Sequence, residues 1–232
     1  MSSSDRGGAW DPGTYLRFAG ERARPFVELV DRIHVASPGA VVDLGCGDGS
    51  TTALLADRWP TARVAGIDSS PEMLAAAPRR PQLEFRLGDV RDWRPEEPVD
   101  VLVSNAVLHR VPDHDRLLAR WAEHLAPGGA LAVQVPGNFR APTHALLAGL
   151  SADVWETTYL HVLSGNDPVL AWVRSTVLRP VLARLDEASA AAFTAEYAAA
   201  LRAAYPRRPD GSTLLPFRRV GAVGVRAELN RA

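Results

Sequence analysis

Gly45, Gly47 and Gly49 stand at alternate positions two residues after an acidic side chain, Asp43, which the apolar run Val41-Val42 precedes. Glycine has no Cβ, so such a stretch can take positive φ and let a ligand approach the main chain within van der Waals distance. The apolar run reads as a buried parallel strand. Ser50, ahead of Thr51-Thr52-Ala53-Leu54-Leu55-Ala56, stands where a serine caps a helix. A strand that becomes a helix through a glycine loop is how nucleotide-like cofactors are held.

Spacing narrows that chemistry. The dinucleotide fingerprint is Gly-x-Gly-x-x-Gly, with its pyrophosphate on the helix N-terminus. Here the third glycine comes one residue early, and Asp48 would repel a pyrophosphate. A cationic ligand suits the loop better. About twenty residues on, Arg63-Val64-Ala65-Gly66-Ile67-Asp68 reads as a second strand whose terminal carboxylate can accept from ribose hydroxyls. Acid, glycine loop, strand and acid together describe a site for S-adenosylmethionine. A dinucleotide-dependent dehydrogenase is the competing class.

At these residues the chain resembles the class I S-adenosylmethionine-dependent methyltransferases. Asp43 to Gly49 is similar to their first motif, Gly66 to Ser70 to their ribose motif and Gly88-Asp89-Val90 to their adenine-side motif. Leu125-Ala126-Pro127-Gly128-Gly129 resembles the turn into their fifth strand. The resemblance implies cofactor contacts from Asp43, Gly45, Cys46, Gly47, Asp48, Asp68, Ser69, Asp89 and Val90. It also implies one from Asn105, at the exit of the fourth strand, toward the methionine end.

The elements that must position these residues alternate strand and helix from Ala40 onward, which argues for a parallel sheet covered on both faces. Strands are expected at Val41–Leu44, Val64–Asp68, Leu83–Leu87, Val99–Ala106, Ala130–Val135 and Trp155–Leu163. The antiparallel last strand is expected at Val220–Leu229. Helices are expected at Thr51–Trp59, Pro71–Ala77 and Asp113–Leu125, and Pro168–Tyr205 reads as helical throughout. Tyr15 to Ile33 has helical apolar spacing but contains Pro25, so a helix ending near Arg24 and restarting at Pro25 is the simplest solution. The expected fold is α/β: a doubly wound, mostly parallel, seven-stranded Rossmann-like sheet with an antiparallel last strand and a helical cap. Residues 1–9 are expected to be disordered and 10–34 to form a helical lid. Residues 35–163 and 218–229 would form the cofactor domain, with 164–217 the cap inserted between its last two strands.

At 232 residues the chain is long enough for a substantial core, and its formal net charge of -1 gives no support for nucleic acid or an anionic membrane as partner. All 26 basic residues are arginine. With so much alanine, a biased coding composition explains most of them. One cysteine excludes an intrachain disulfide, and no apolar run of about 18 residues or signal-peptide pattern is present, so a cytoplasmic protein is expected. No clustered metal ligands are visible in the sequence, and oligomeric state is not legible from it.

Within the class, the resemblance narrows. Tyr15 to Pro25, Ser104 to His114, Gln134 to His144 and Asp153 to Tyr159 are similar to the trans-aconitate 2-methyltransferase family, from Trp10 to about Glu228. That family methylates one carboxylate of a small tricarboxylic acid. The resemblance implies substrate contacts among Tyr15, Arg22, Arg24, Asn138, Arg140, Tyr159 and Arg179, with His109 and Arg110 as positioning residues and no general base. Trp10 and Trp172 are further candidates for the cleft. Arginine forks would hold the spectator carboxylates. One departure is expected to matter: only Ala145 to Ala152 separate Pro142-Thr143-His144 from Trp155, less than in the family, so residues are missing there. Another small-molecule methyltransferase, for a phenol or natural product, and a non-catalytic cofactor-binding module are the alternatives.

Overall fold

Val41 and Val42 lie in β1 (Ala40–Leu44), whose buried residues mark the middle of a sheet. The computed structural model describes residues 19–137, 151–174 and 177–226. On one side β1 pairs in parallel with β2 (Arg63–Asp68), and β2 with β3 (Leu83–Leu87). On the other it pairs in parallel with β4 (Val99–Asn105), and β4 with β5 (Leu125–Pro136). β7 (Thr213–Val225) runs antiparallel to β5, and β6 (Ser151–Leu163) completes the seven-stranded order β3-β2-β1-β4-β5-β7-β6. The winding reverses between β1 and β4, and in open α/β sheets ligands bind beyond the strand carboxyl ends at that reversal.

Side-chain alternation decides which residues share a face. Phe26, Leu29, Val30 and Ile33 of α1 (Ala19–Asp31), with Leu55 and Ala56 of α2 (Ser50–Arg58), pack on Val41, Val101, Val103, Ala130, Ala132 and Val223. The other face carries Leu102, Leu131, Val133 and Val135 against Leu117, Leu118 and Trp121 of α4 (His114–Glu123). Each such fully buried side chain contributes roughly 1.5–3 kcal/mol. By the same alternation Asp43, Asn105, Gln134 and Arg219 belong to the face of α1 and α2. α3 (Pro71–Ala75) starts on a Ser70 cap whose Oγ accepts from Met73 N.

Contact clustering divides the chain into two compact units. One contains Ala23–Thr158 and the chain from Arg218, and with them most of the sheet. The other contains Tyr159–Phe217, including α5 (Pro168–Arg174), α6 (Arg179–Leu182) and α7 (Glu187–Ala204). Leu163, Val169, Trp172 and Leu215 form the core of this second unit, and Asp186 caps α7 by accepting from Ser189 N at 2.8 Å.

Several local expectations are corrected. α1 runs through Pro25 without a break; the hydrogen bond lost to proline is tolerated where the ring itself is buried. Ser50 does not cap α2: the cap is Gly49 in the left-handed region, and Ser50 Oγ instead donates to Asp48. β5 begins at Leu125 rather than Ala130, because Gly128 (φ 77) and Gly129 let the strand pass a register shift against β4. β7 begins at Thr213 rather than Val220, with Pro216 within it. The helical segment from Pro168 to Tyr205 consists of three helices.

Candidate active site

The loop after β1 is tied to the end of β2 by its own backbone. Gly45 N and Cys46 N both donate to Ile67 O, at 2.7 and 3.1 Å, and Gly47 N donates to Asp68 Oδ2 at 2.8 Å. Ser70 N donates to Asp68 Oδ1 at 2.9 Å, so each carboxylate oxygen keeps lone-pair capacity for a ligand hydroxyl. The three glycines serve different ends. A Cβ at Gly45 (φ 81) would fall 2.1 Å from Val107 Cγ2, and one at Gly49 (φ 70) 2.5 Å from Phe85. These two are glycine because side chains pack on them. Gly47 (φ 58) has nothing within 4 Å of its would-be Cβ, and there the main chain faces open space.

Asp43 is 1% exposed and accepts from Thr52 Oγ1 at 2.6 Å. Burial pushes its carboxyl up to about 7; the Thr52 hydrogen bond opposes the shift and the Asp68 charge adds to it. A buried acid beside a second acid favours a positively charged ligand. Asn105, at the end of β4, has a buried Oδ1 with no partner among the described residues, an acceptor suited to an ammonium group. Ala106 follows it at φ 59, a left-handed conformation rare for alanine. An open glycine, two neighbouring carboxylates and an orphaned acceptor at the winding reversal together fit S-adenosylmethionine.

The remaining cofactor candidates occupy the same strand ends. Asp48 is half-buried and accepts from Ser50 N at 3.1 Å. Cys46 is 5% exposed, and burial with the Asp43 and Asp68 charges pushes its thiol well up, so it is a packing residue rather than a nucleophile. Ser69 is exposed at the exit of β2. Asp89 is gripped by Arg91, whose Nε donates to both oxygens at 2.9 and 3.0 Å, which holds its carboxyl below the ordinary range. Val90 packs into the core of the α4 face.

A second polar group stands at the carboxyl ends of β4 and β5, beside the middle of β7. Arg110 Nε donates to His109 Nε2 at 3.3 Å, which leaves the ring proton on Nδ1. Burial, with the charges of Arg110 and Arg219, lowers His109 to about 4, so the ring is neutral near pH 7. Arg219 Nη1 donates to Gln134 Oε1 at 3.4 Å, and Gln134 lies opposite Asn105 in the β4–β5 register. Sequence reasoning singled out neither Gln134 nor Arg219. Only the antiparallel pairing of Gln134 with Gly221 and of Pro136 with Arg219 brings them together.

The substrate candidates scatter. Trp10, Tyr15, Asn138 and Arg140 lie outside the described residues, as do the side chain of Arg22 and the short connection at 145–150. Arg24 is exposed and pairs with Glu28 at 3.1 Å, a surface pair one helical turn apart. Tyr159, Trp172 and Arg179 belong to the second unit. There Tyr159 stacks on His161, Trp172 is 3% exposed within the apolar cluster, and Arg179 is exposed. No group of three or more acidic, histidine or cysteine side chains able to hold a metal occurs among the described residues. None of the described helices is long and apolar enough to cross a membrane.

Comparison with known proteins agrees with this geometry. The family described as methyltransferase domain matches residues 41–129. The trans-aconitate 2-methyltransferase of Streptomyces coelicolor is 49% identical over 265 residues, covering 94% of this chain and 87% of that protein. The protein of the same name from Mycobacterium tuberculosis is 45% identical over 247 residues, covering 91% and 94%. Both alignments are longer than the 232-residue chain, so these relatives carry residues that it lacks. Among solved structures, a Haemonchus contortus phosphoethanolamine N-methyltransferase in complex with S-adenosylhomocysteine is similar at TM-score 0.54 and 15% identity, over 88% of this chain and 53% of that one. That likeness concerns the fold. Taken with the acid, glycine loop and acid at the ends of β1 and β2, the sequence identity establishes that the chain belongs to the trans-aconitate 2-methyltransferase family.

Proposed function

We propose that the chain catalyses transfer of a methyl group from S-adenosylmethionine to one carboxylate of trans-aconitate or a similar small polycarboxylic acid, giving a methyl ester. The observation that carries the donor half is the buried Asp43 beside Asp68, with the open main chain at Gly47 and an Asn105 Oδ1 that has no partner among the described residues. The acceptor half draws on the names of the relatives at 45–49% identity. Bound S-adenosylmethionine supplies a methyl group made electrophilic by its sulfonium.

The residues of the chain then have three tasks. Asp68 accepts from ribose hydroxyls, while Asp43 and Asn105 oppose the cofactor's positive charge. Asp89 and Val90 border its base. His109 and Arg110 orient the acceptor. A carboxylic acid of pKa about 4 is already ionised at neutral pH, so no side chain has to remove a proton. His109, lowered to about 4, is a poor base, which favours an acid over a phenol as acceptor. Positioning alone can supply about 7–11 kcal/mol in favourable cases. Tyr15, Arg22, Asn138, Arg140, Tyr159 and Arg179 remain proposed substrate contacts, with residues 164–217 the proposed cap. The test is methyl transfer from labelled S-adenosylmethionine to tri-, di- and monocarboxylic acids and to phenols. Base-labile label on the polyacids is expected; label on phenols alone, or none, overturns the proposal.

A further inference from the structure

The proposed function leaves one buried polar side chain of the sheet, Gln134, without a task. Gln134 is 3% exposed near the carboxyl end of the mostly apolar β5, yet its Nε2 has no partner among the described residues. A buried amide left half-satisfied costs about 1–3 kcal/mol, so it calls for a reason. Its Oε1 accepts from Arg219, so the buried amide NH2 is left as a donor without a partner among the described residues, beside the guanidinium. Asn105 lies opposite Gln134 in register, and Arg219 is also close enough to His109 to act on its charge state.

We propose that Arg219 and the Gln134 amide together hold a spectator carboxylate of the acceptor, making Arg219 a specificity-determining residue of the site. The inference rests on the function proposed above. An arginine matches a carboxylate with two parallel N–H donors, and an adjacent amide NH2 adds a third from a rigid strand. Position on β7 fixes the fork from the backbone: Arg219 pairs with Pro136 across the antiparallel ladder. A lysine there would keep the charge and lose the fork.

The test is calorimetric titration of trans-aconitate into the protein saturated with S-adenosylhomocysteine, for wild type, Arg219→Lys, Arg219→Gln and Gln134→Leu, with initial rates alongside. Arg219→Lys should weaken acid binding and raise KM about tenfold or more, and Arg219→Gln further, as expected for charge-assisted hydrogen bonds. The Kd for S-adenosylhomocysteine should stay within about twofold in both, a split that a merely structural arginine would not produce. Gln134→Leu, which removes the amide, should weaken acid binding in the same direction while melting normally. If the Arg219 variants bind the acid as wild type does, or if acid and S-adenosylhomocysteine weaken together, the inference fails. A wild type that binds the acid in an Arg219-dependent way without methylating it upholds this anchor and defeats the proposed function. A wild type that methylates polyacids with Arg219→Lys unchanged does the reverse.

Discussion

The loop at the ends of β1 and β2 and the polar group where the ends of β4 and β5 meet the middle of β7 are held by different means. The first is local and made of backbone: Ile67 O, Gly47 N and Ser70 N knit residues 45–70 together around one carboxylate. The second is non-local and made of side chains, with Arg219 reaching Gln134 across 85 positions of sequence. A Cβ at Gly45 or Gly49 of the first would collide with Val107 or Phe85, whereas the second is a contact between two side chains. Under the roles proposed above, a substitution in the first alters the donor grip and one in the second the acceptor.

The largest effect should come from Gly45→Ala, which adds a Cβ 2.1 Å from Val107 at φ 81. Overpacking and left-handed strain together cost roughly 2–5 kcal/mol, and S-adenosylhomocysteine binding should be lost along with several degrees of melting temperature. Gly47→Ala, in open space, should keep the fold and lose the ligand. If both variants melt alike and bind alike, the distinction between packed and open glycines is wrong.

Asp43 sharpens the contrast through pH. Its folded-state pKa of about 7 lies above the ordinary 3.8, so the carboxyl contributes stability below pH 3.8 that is lost as pH rises through about 7. Asp43→Asn, which cannot ionise, should be more stable than wild type at pH 8, by up to about 4 kcal/mol. A cationic ligand needs the ionised form. Wild-type affinity for S-adenosylmethionine should therefore fall up to about tenfold per pH unit below 7, and the Asn variant should show a weaker, flat profile. Calorimetry between pH 5.5 and 8.5 decides this, where the same slope in both proteins removes Asp43 from the site.

Smaller effects follow. Asp68→Ala should weaken S-adenosylmethionine by about ten- to hundredfold, the worth of a hydrogen bond between charged and neutral partners. Arg24→Ala should change stability by less than about 0.5 kcal/mol, since its pair with Glu28 is a surface pair, and should leave KM for trans-aconitate unchanged. A raised KM there would return Arg24 to the substrate site.

How much was legible in the sequence follows the same division. β1, its glycine loop and Asp68 lie within 30 residues, so their types and spacing carried both the fold and the donor. Gln134 and Arg219 did not stand out, because their meeting depends on the β5–β7 register, and Pro216 disguised the first half of β7 as a loop. Of the arginines favoured by resemblance, Arg110 lies beside His109, Arg24 on the exposed side of α1 and Arg179 in the second unit, while Arg140 and the side chain of Arg22 are outside the described residues. Composition also misled: with every cation an arginine, none was distinctive until the sheet placed one beside a buried amide. Pro25 and Ser50 were misjudged for a simpler reason, since local preferences for helix starts yield to packing of the α1 face and to Asp48.

The most direct measurement is the Kd of S-adenosylhomocysteine by calorimetry in Asp68→Ala and Arg219→Lys, side by side with wild type. A donor held at β1 and β2, apart from an acceptor held at β5 and β7, predicts about tenfold or greater loss in the first variant and a change within about twofold in the second. Equal affinities for Asp68→Ala and wild type, or equal losses in the two variants, would contradict it.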